Sequence, residues 1–158
     1  MPVEIERKFL VRDGRWRAAA TRALPMVQGY LGGMDGKASV RVRLEGDVGK
    51  LNIKAAVVGM TRAEFEYDIP AAEARQLIDQ LCVGVVEKVR HWVPHAGRTW
   101  EVDQFSGAND GLVTAELELG DEREAFERPD WLGDEVTHDR RYYNHALALH
   151  PYSAWPPP

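Results

Sequence analysis

The sequence has a single cysteine, Cys82, so no intrachain disulfide can form, and no CxxC or cysteine–histidine spacing offers a zinc site. A reduced, cytoplasmic setting is the expectation. An excess of positive charge is missing as well. With 20 Lys and Arg against 25 Asp and Glu, the formal net charge is −5, which argues against nucleic acid as the partner. No apolar run is long enough to span a bilayer, and the charged stretch from Met1 to Arg12 does not read as a secretory signal. No repeat or linker divides the 158 residues, which suffice for one sizeable core. One domain is expected over residues 1–150, with a flexible tail over 151–158 that ends in three prolines.

What the sequence does have is period-two alternation, the pattern of strands with two unlike faces. Eight segments carry it: Val3–Val11, Val27–Leu31, Ser39–Glu45, Lys50–Lys54, Arg62–Asp68, Val86–Val93, Thr99–Phe105 and Leu112–Leu119. Turn signals separate them at Asp35-Gly36, Asp47–Gly49, Gly59, Ala96-Gly97 and Asn109–Gly111. Helices are expected over Asp13–Thr21, with Asp13 as N-cap, over Pro70–Leu81, and over Arg140–Leu149, with Asp139 as cap. A short helical turn is expected over Glu122–Phe126. Strands dominate and helices intervene, so the class is α+β on an antiparallel sheet.

The charges on these strands are ordered. Cations pair on one face at Arg41/Arg43, Lys50/Lys54 and Lys88/Arg90; anions pair at Glu4/Glu6, Glu64/Glu66, Glu101/Asp103 and Glu116/Glu118. In an ordinary antiparallel sheet such faces meet water. Solubility, however, requires no segregation of sign by strand. An open sheet of eight strands would also leave two edges to protect, and closure removes both. A closed barrel with the charged face inward and the apolar face outward under helices uses every feature. Buried charge is costly unless it is paired or holds ions, so the interior must be wet and matched to a charged ligand. Carboxylates suit hard divalent metals such as magnesium or manganese. Arginine forks and lysine ammoniums suit phosphate. Both in one cavity imply a metal–polyphosphate ligand.

The N-terminal run Glu4-Ile5-Glu6-Arg7-Lys8 contains a Glu-x-Glu-x-Lys motif, and the charged pairs follow it in order. With Gln28-Gly29-Tyr30-Leu31 and the tail Asp139-Arg140-Arg141-Tyr142-Tyr143-Asn144, the chain resembles the CYTH superfamily, the triphosphate tunnel metalloenzymes, and in particular its short single-domain tripolyphosphatase-like members. The resemblance implies an eight-stranded antiparallel tunnel and metal-dependent hydrolysis of a triphosphate, with inorganic tripolyphosphate first. Class IV adenylate cyclase and thiamine triphosphatase activities are alternatives, and a non-catalytic polyphosphate- or nucleotide-binding protein is another.

By that resemblance, Glu4, Glu6, Glu116 and Glu118 are the first metal ligands, with Asp103 or Glu101 assisting a second metal. Glu64 and Glu66 are either ligands or ion-pair partners of the basic side chains. Lys8, Arg41, Arg43, Lys54, Lys88 and Arg90 are the phosphate ligands, with Arg62 a weaker candidate. The base is open between a carboxylate (Glu6 or Glu118) and a Tyr30–Lys8 pair in which the lysine lowers the phenol pKa. Tyr30 packed in the wall is the structural alternative. The tail helix is expected to close one mouth, to pack outside through Leu147 and Leu149, or both. The five histidines read as surface or packing residues. The oligomeric state is open, with a homodimer allowed.

Overall fold

The computed structural model describes residues 2–157. Nine strands form one antiparallel sheet: β1 Val3–Val11, β2 Arg22–Tyr30, β3 Ala38–Glu45, β4 Val48–Ala55, β5 Thr61–Ile69, β6 Gly84–His95, β7 Arg98–Ser106, β8 Val113–Glu118 and β9 Leu132–Glu135. Their order is β5-β4-β3-β2-β6-β7-β8-β1-β9, and β5 returns to pair with β1. The first eight therefore close into a barrel. Val3–Ile5 of β1 hold β5, Glu6–Leu10 hold β8 on the other edge, and β9 takes the rest of the first edge at Phe9 and Val11. That edge of β1 is thus shared between a short stretch of β5 and the four-residue β9. At this strand number the interior is just wide enough for side chains and a small ligand.

Because the inner face is charged, the apolar cores lie elsewhere. One cluster, with Phe9, Trp16, Val93, Trp100, Val102, Leu117 and Trp131, sits on the outer wall beneath α1 (Trp16–Ala19) and the segment leading into β9. A second, with Val42, Leu44, Ala74 and Ile78, lies between the outer wall and α2 (Ala71–Gln80). The third is different. Leu10, Val86 and Phe105 share strand parity with the charged inner residues, yet they cluster with Leu112, just before β8, and with Leu147 of α3 (Asn144–Leu149). Here the helix inserts into one end of the barrel and seals it. Gly84 makes the approach feasible, since a Cβ there would stand 2.6 Å from the Ala148 carbonyl oxygen. No helix among the described residues is long and apolar enough to cross a membrane.

Several local expectations are corrected. β2 begins at Arg22 rather than Val27. The intervening Pro25 is tolerated because β2 pairs with β6 from Arg22 onward but with β3 only from Met26, leaving Pro25 unpaired on that side. The first helix is a single turn, because Asp13 bonds back to the Arg15 N–H in a local turn and Thr21 already joins the sheet through the Trp92 carbonyl. β9, four residues with no clean alternation, was not expected. Glu122–Phe126 contains a turn and no helix. The helix expected over Arg140–Leu149 is split: a 3-10 turn at Arg140–Tyr142, which Asp139 caps through the Arg141 N–H, then an extended Tyr143, then α3. Residues 151–157 fold back onto the protein, with the Tyr152 N–H bonded to Asn109 Oδ1 and Trp155 packed edge-on to Tyr142.

Candidate active site inside the barrel

The inner faces of the strands enclose a chamber of about 160 Å³. Strand alternation places its charges: Glu4, Glu6 and Lys8 from β1, Arg41 and Arg43 from β3, Lys54 from β4, Arg62, Glu64 and Glu66 from β5, Lys88 and Arg90 from β6, Glu101 from β7, Glu116 and Glu118 from β8. Ser39, Asn52 and Tyr30 complete the wall, and Arg140, Tyr143, Asn144 and His145 line it from the tail.

The carboxylates divide into two groups. Glu4, Glu6 and Glu118 bring oxygens within 4.8 Å of one another. The β1–β8 register explains the meeting, for Glu6 stands opposite Glu118. Among the described residues Glu118 has no ion-pair partner, while Glu4 is approached by Lys54 at 2.9 Å and Arg62 at 3.4 Å. Three oxygen donors with an unbalanced Glu118 fit a hard divalent cation. The other acidic residues are committed to cations. Glu116 pairs with Lys8 at 3.2 Å, Glu101 with Arg90 at 2.8 Å, and Glu64 with Lys54 at 3.4 Å. Glu66 pairs with Lys50 at 3.5 Å and accepts from Asn52 at 3.1 Å. Asp103 is fully buried behind the wall, where both oxygens are taken, by Lys88 at 2.8 Å and by Arg90 in a two-pronged contact. It stands with the basic residues, away from the acidic trio.

The electrostatics follow from this division. Burial, together with the negative charge of Glu116 and Glu4, pushes the Glu6 carboxyl up to about 8 against the pull of Lys54 and Lys8. Burial would also raise Glu116, but Lys8, Arg90 and Lys88 outweigh it and hold that carboxyl well below its usual range. Burial raises Glu101 against the pull of Arg90. For Lys88, burial wins over the attraction of Asp103 and, aided by Arg90 and Arg43, lowers the ammonium to about 7. Lys8 goes the other way, since Glu116 and Glu6 overcome its desolvation. Two neighbouring carboxylates are thereby driven apart: Glu6 holds a proton at neutral pH, and Glu116 stays ionised.

On the basic side, Arg43 donates to Gln28 at 3.1 Å and pairs with Glu45 at 2.9 Å. Arg41 is buried, has no ion pair among the described residues, and leaves its Nε without any hydrogen-bond partner. The Arg62 Nε is likewise unpartnered. A buried guanidinium donor without a partner is costly, and an anion in the chamber would satisfy it.

Tyr30 and Lys8 do not form a pair. The Tyr30 hydroxyl accepts from Gln28 at 2.9 Å and its ring stacks on His145 at 4.4 Å, whereas the Lys8 ammonium bonds to the Tyr142 carbonyl at 3.1 Å. His145 is thus in the site, bonded to Ser39 and the Gly32 carbonyl rather than merely packed at the surface. Ser39 could have been read from the sequence, since it shares parity with Arg41 and Arg43. Tyr143 and His145 carry no such signal, because they enter from the tail.

The CYTH domain family matches residues 2–144. The chain is 46% identical over 153 residues to the inorganic triphosphatase of Acetivibrio thermocellus, covering 96% of this chain and 97% of that protein. It is 37% identical to the inorganic triphosphatase of Nitrosomonas europaea, covering 92% and 97%. A solved inorganic triphosphatase structure superposes with a TM-score of 0.66 at 36% identity, over 92% of this chain and 97% of that one. A closed barrel with an acidic trio facing a basic wall, matched in sequence along nearly its whole length, places the chain in the CYTH family.

Proposed function

We propose that this protein is a metal-dependent triphosphatase that hydrolyses inorganic tripolyphosphate to pyrophosphate and orthophosphate. The observation that carries the reading is the division of one chamber into an acidic trio, Glu4, Glu6 and Glu118, and a basic wall that includes the unpartnered Arg41. The inorganic triphosphatases to which the chain is 46% and 37% identical support this substrate.

Arg41, Arg43, Lys54, Lys88 and Arg90 bind and orient the phosphates, and Lys8 and Arg62 add positive charge beside the carboxylates. Such groups are fixed before substrate arrives, so they stabilise charge developing on the transferred phosphoryl group without reorganising. Asp103 and Glu101 hold Lys88 and Arg90 in place, and Glu64 and Glu66 do the same for Lys54 and Asn52. Glu4, Glu6 and Glu118 would hold the metal, magnesium or manganese by their all-oxygen donor set, with Glu116 beside them on Lys8. When bound, the metal supplies Lewis-acid neutralisation of phosphoryl oxygens. Glu118, the most exposed of the trio, accepts the proton of the attacking water. Tyr30, held between Gln28 and His145, shapes the wall.

The test is product analysis on tripolyphosphate, ATP and thiamine triphosphate with magnesium or manganese, against a chelated control. Metal-dependent orthophosphate release, fastest from tripolyphosphate, is expected. Cyclic AMP and pyrophosphate from ATP would replace the proposal with a cyclase, and metal-dependent binding without turnover would leave a binding protein.

A further inference from the structure

Asn144 sits where two hydrogen-bonded chains meet. Its Oδ1 accepts from Gln28 Nε2 at 3.1 Å and from Lys88 Nζ at 3.0 Å. On one side, the fully buried Gln28 accepts from Arg43 Nε at 3.1 Å. On the other, Lys88 and Arg90 share Asp103. Three cations of the basic wall are therefore linked across β3, β2, the tail and β6 by Gln28, Asn144 and Asp103. The amide orientation follows from chemistry: an ammonium only donates, so the oxygen of Asn144 must face Lys88. The Nδ2 donors then have no partner among the described residues, in a side chain that lines the chamber.

An amide suits this place better than a carboxylate. Lys88 already has one counter-charge in Asp103, and burial weakens its hold on the proton. A second anion would cancel the charge that Lys88 presents to a phosphate. An amide oxygen fixes the direction of the ammonium and leaves its charge intact.

The tail is built to deliver this residue. Tyr143 breaks the helix with extended backbone, at φ −69° and ψ 139°, and its hydroxyl donates to the Thr137 carbonyl at 2.8 Å and accepts from the Gly59 N–H at 3.0 Å. His145 is fixed on the other side by Ser39 and the Gly32 carbonyl. Asn144 is thus pinned between two anchored neighbours.

We propose that Asn144 is a positioning residue for the phosphate-binding wall, aiming Lys88 at the substrate and, through Gln28, coupling it to Arg43. This rests on the triphosphatase reading above. It assigns the tail a part in substrate affinity in addition to closing the barrel end.

The test compares steady-state kinetics on tripolyphosphate with manganese for the wild type, Asn144→Asp and Asn144→Leu, with thermal melting of each. Asn144→Asp keeps the shape and the acceptor for Lys88, so it melts no lower than the wild type, yet its KM rises about tenfold or more. Asn144→Leu removes the acceptor and raises KM about fivefold, while kcat changes by less than about threefold. If Asn144→Leu fails to fold, Asn144→Asp alone decides. A KM within twofold of wild type in the folded variants would overturn the assignment, as would a loss of kcat that merely follows lost stability. If the wild type itself did not turn over tripolyphosphate, the functional reading would fall first and this inference with it.

Discussion

Metal binding at the acidic trio should displace a proton from Glu6, and the structure sets how many and at what pH. Burial and the charges of Glu116 and Glu4 raise this carboxyl to about 8, so the metal-free protein carries a proton there at neutral pH. A metal ion needs the carboxylate, and the two cations compete. One pH unit below the pKa, about 0.9 of a proton is released per metal bound, falling to about 0.1 one unit above it. Apparent affinity should therefore rise roughly tenfold per pH unit below 8 and level off above. The sign is fixed by the direction of the shift. An ordinary carboxylate would be ionised across this range and would release nothing. Isothermal titration of manganese in buffers of different ionisation heat measures the protons directly. Glu6→Gln should bind more weakly and lose the release. Near-zero release at pH 7, or an affinity flat between pH 6 and pH 9, would refute the account.

Three further outcomes are expected. Arg41→Ala should raise the KM for tripolyphosphate about tenfold or more with little loss of stability, because Arg41 has no ion-pair partner among the described residues to strand; an unchanged KM would remove it from the phosphate ligands. Asp103→Ala leaves Lys88 and Arg90 buried without their shared anion, so denaturant unfolding should show a loss of about 3–5 kcal/mol, and a loss under 1 kcal/mol would contradict the pairing. Leu147→Ala opens a cavity in the sealed end of the barrel and should cost about 2–5 kcal/mol by the same measurement, whereas a neutral result would mean that α3 is not seated there.

The barrel and its charged interior were legible because both rest on one short-range rule, alternation along a strand. Glu4, Glu6, Arg41, Arg43, Lys88, Arg90, Glu116 and Glu118 all follow it. What alternation does not reveal is which opposite charges meet. Asp103 has the same parity as Glu101 and reads from sequence as a metal ligand, but the β6–β7 register sets it opposite Arg90. Alternation also says nothing of residues that enter from the tail. The helix expected over 140–149 is interrupted at Tyr143, whose hydroxyl is engaged by the Thr137 carbonyl and the Gly59 N–H, contacts that alternation cannot reveal. The early start of β2 at Arg22 is hidden for a related reason: Pro25 is tolerated there because β3 pairs only from Met26, a tertiary fact.

An interior full of charge raises the question of what holds the barrel together, and the placement of the apolar residues answers it. Two of the three clusters lie outside the sheet, under α1 and α2, and the third fills only the sealed end. Hydrophobic burial, the dominant favourable contribution to folding, is thus largely independent of the chamber walls. Substitutions at Arg41 or Glu118, which have no ion-pair partner among the described residues, should change binding and turnover at little cost in stability. Substitutions at Asp103 or Glu116 should do both, because each neutralises a buried cation. The distinction between residues that meet the ligand and residues that hold other residues for it therefore predicts a measurable split. Variants of the first kind should alter kinetics at an unchanged melting temperature, and those of the second should lower both together. A fall in melting temperature for Arg41→Ala as large as that for Asp103→Ala would show that the chamber wall carries the fold after all.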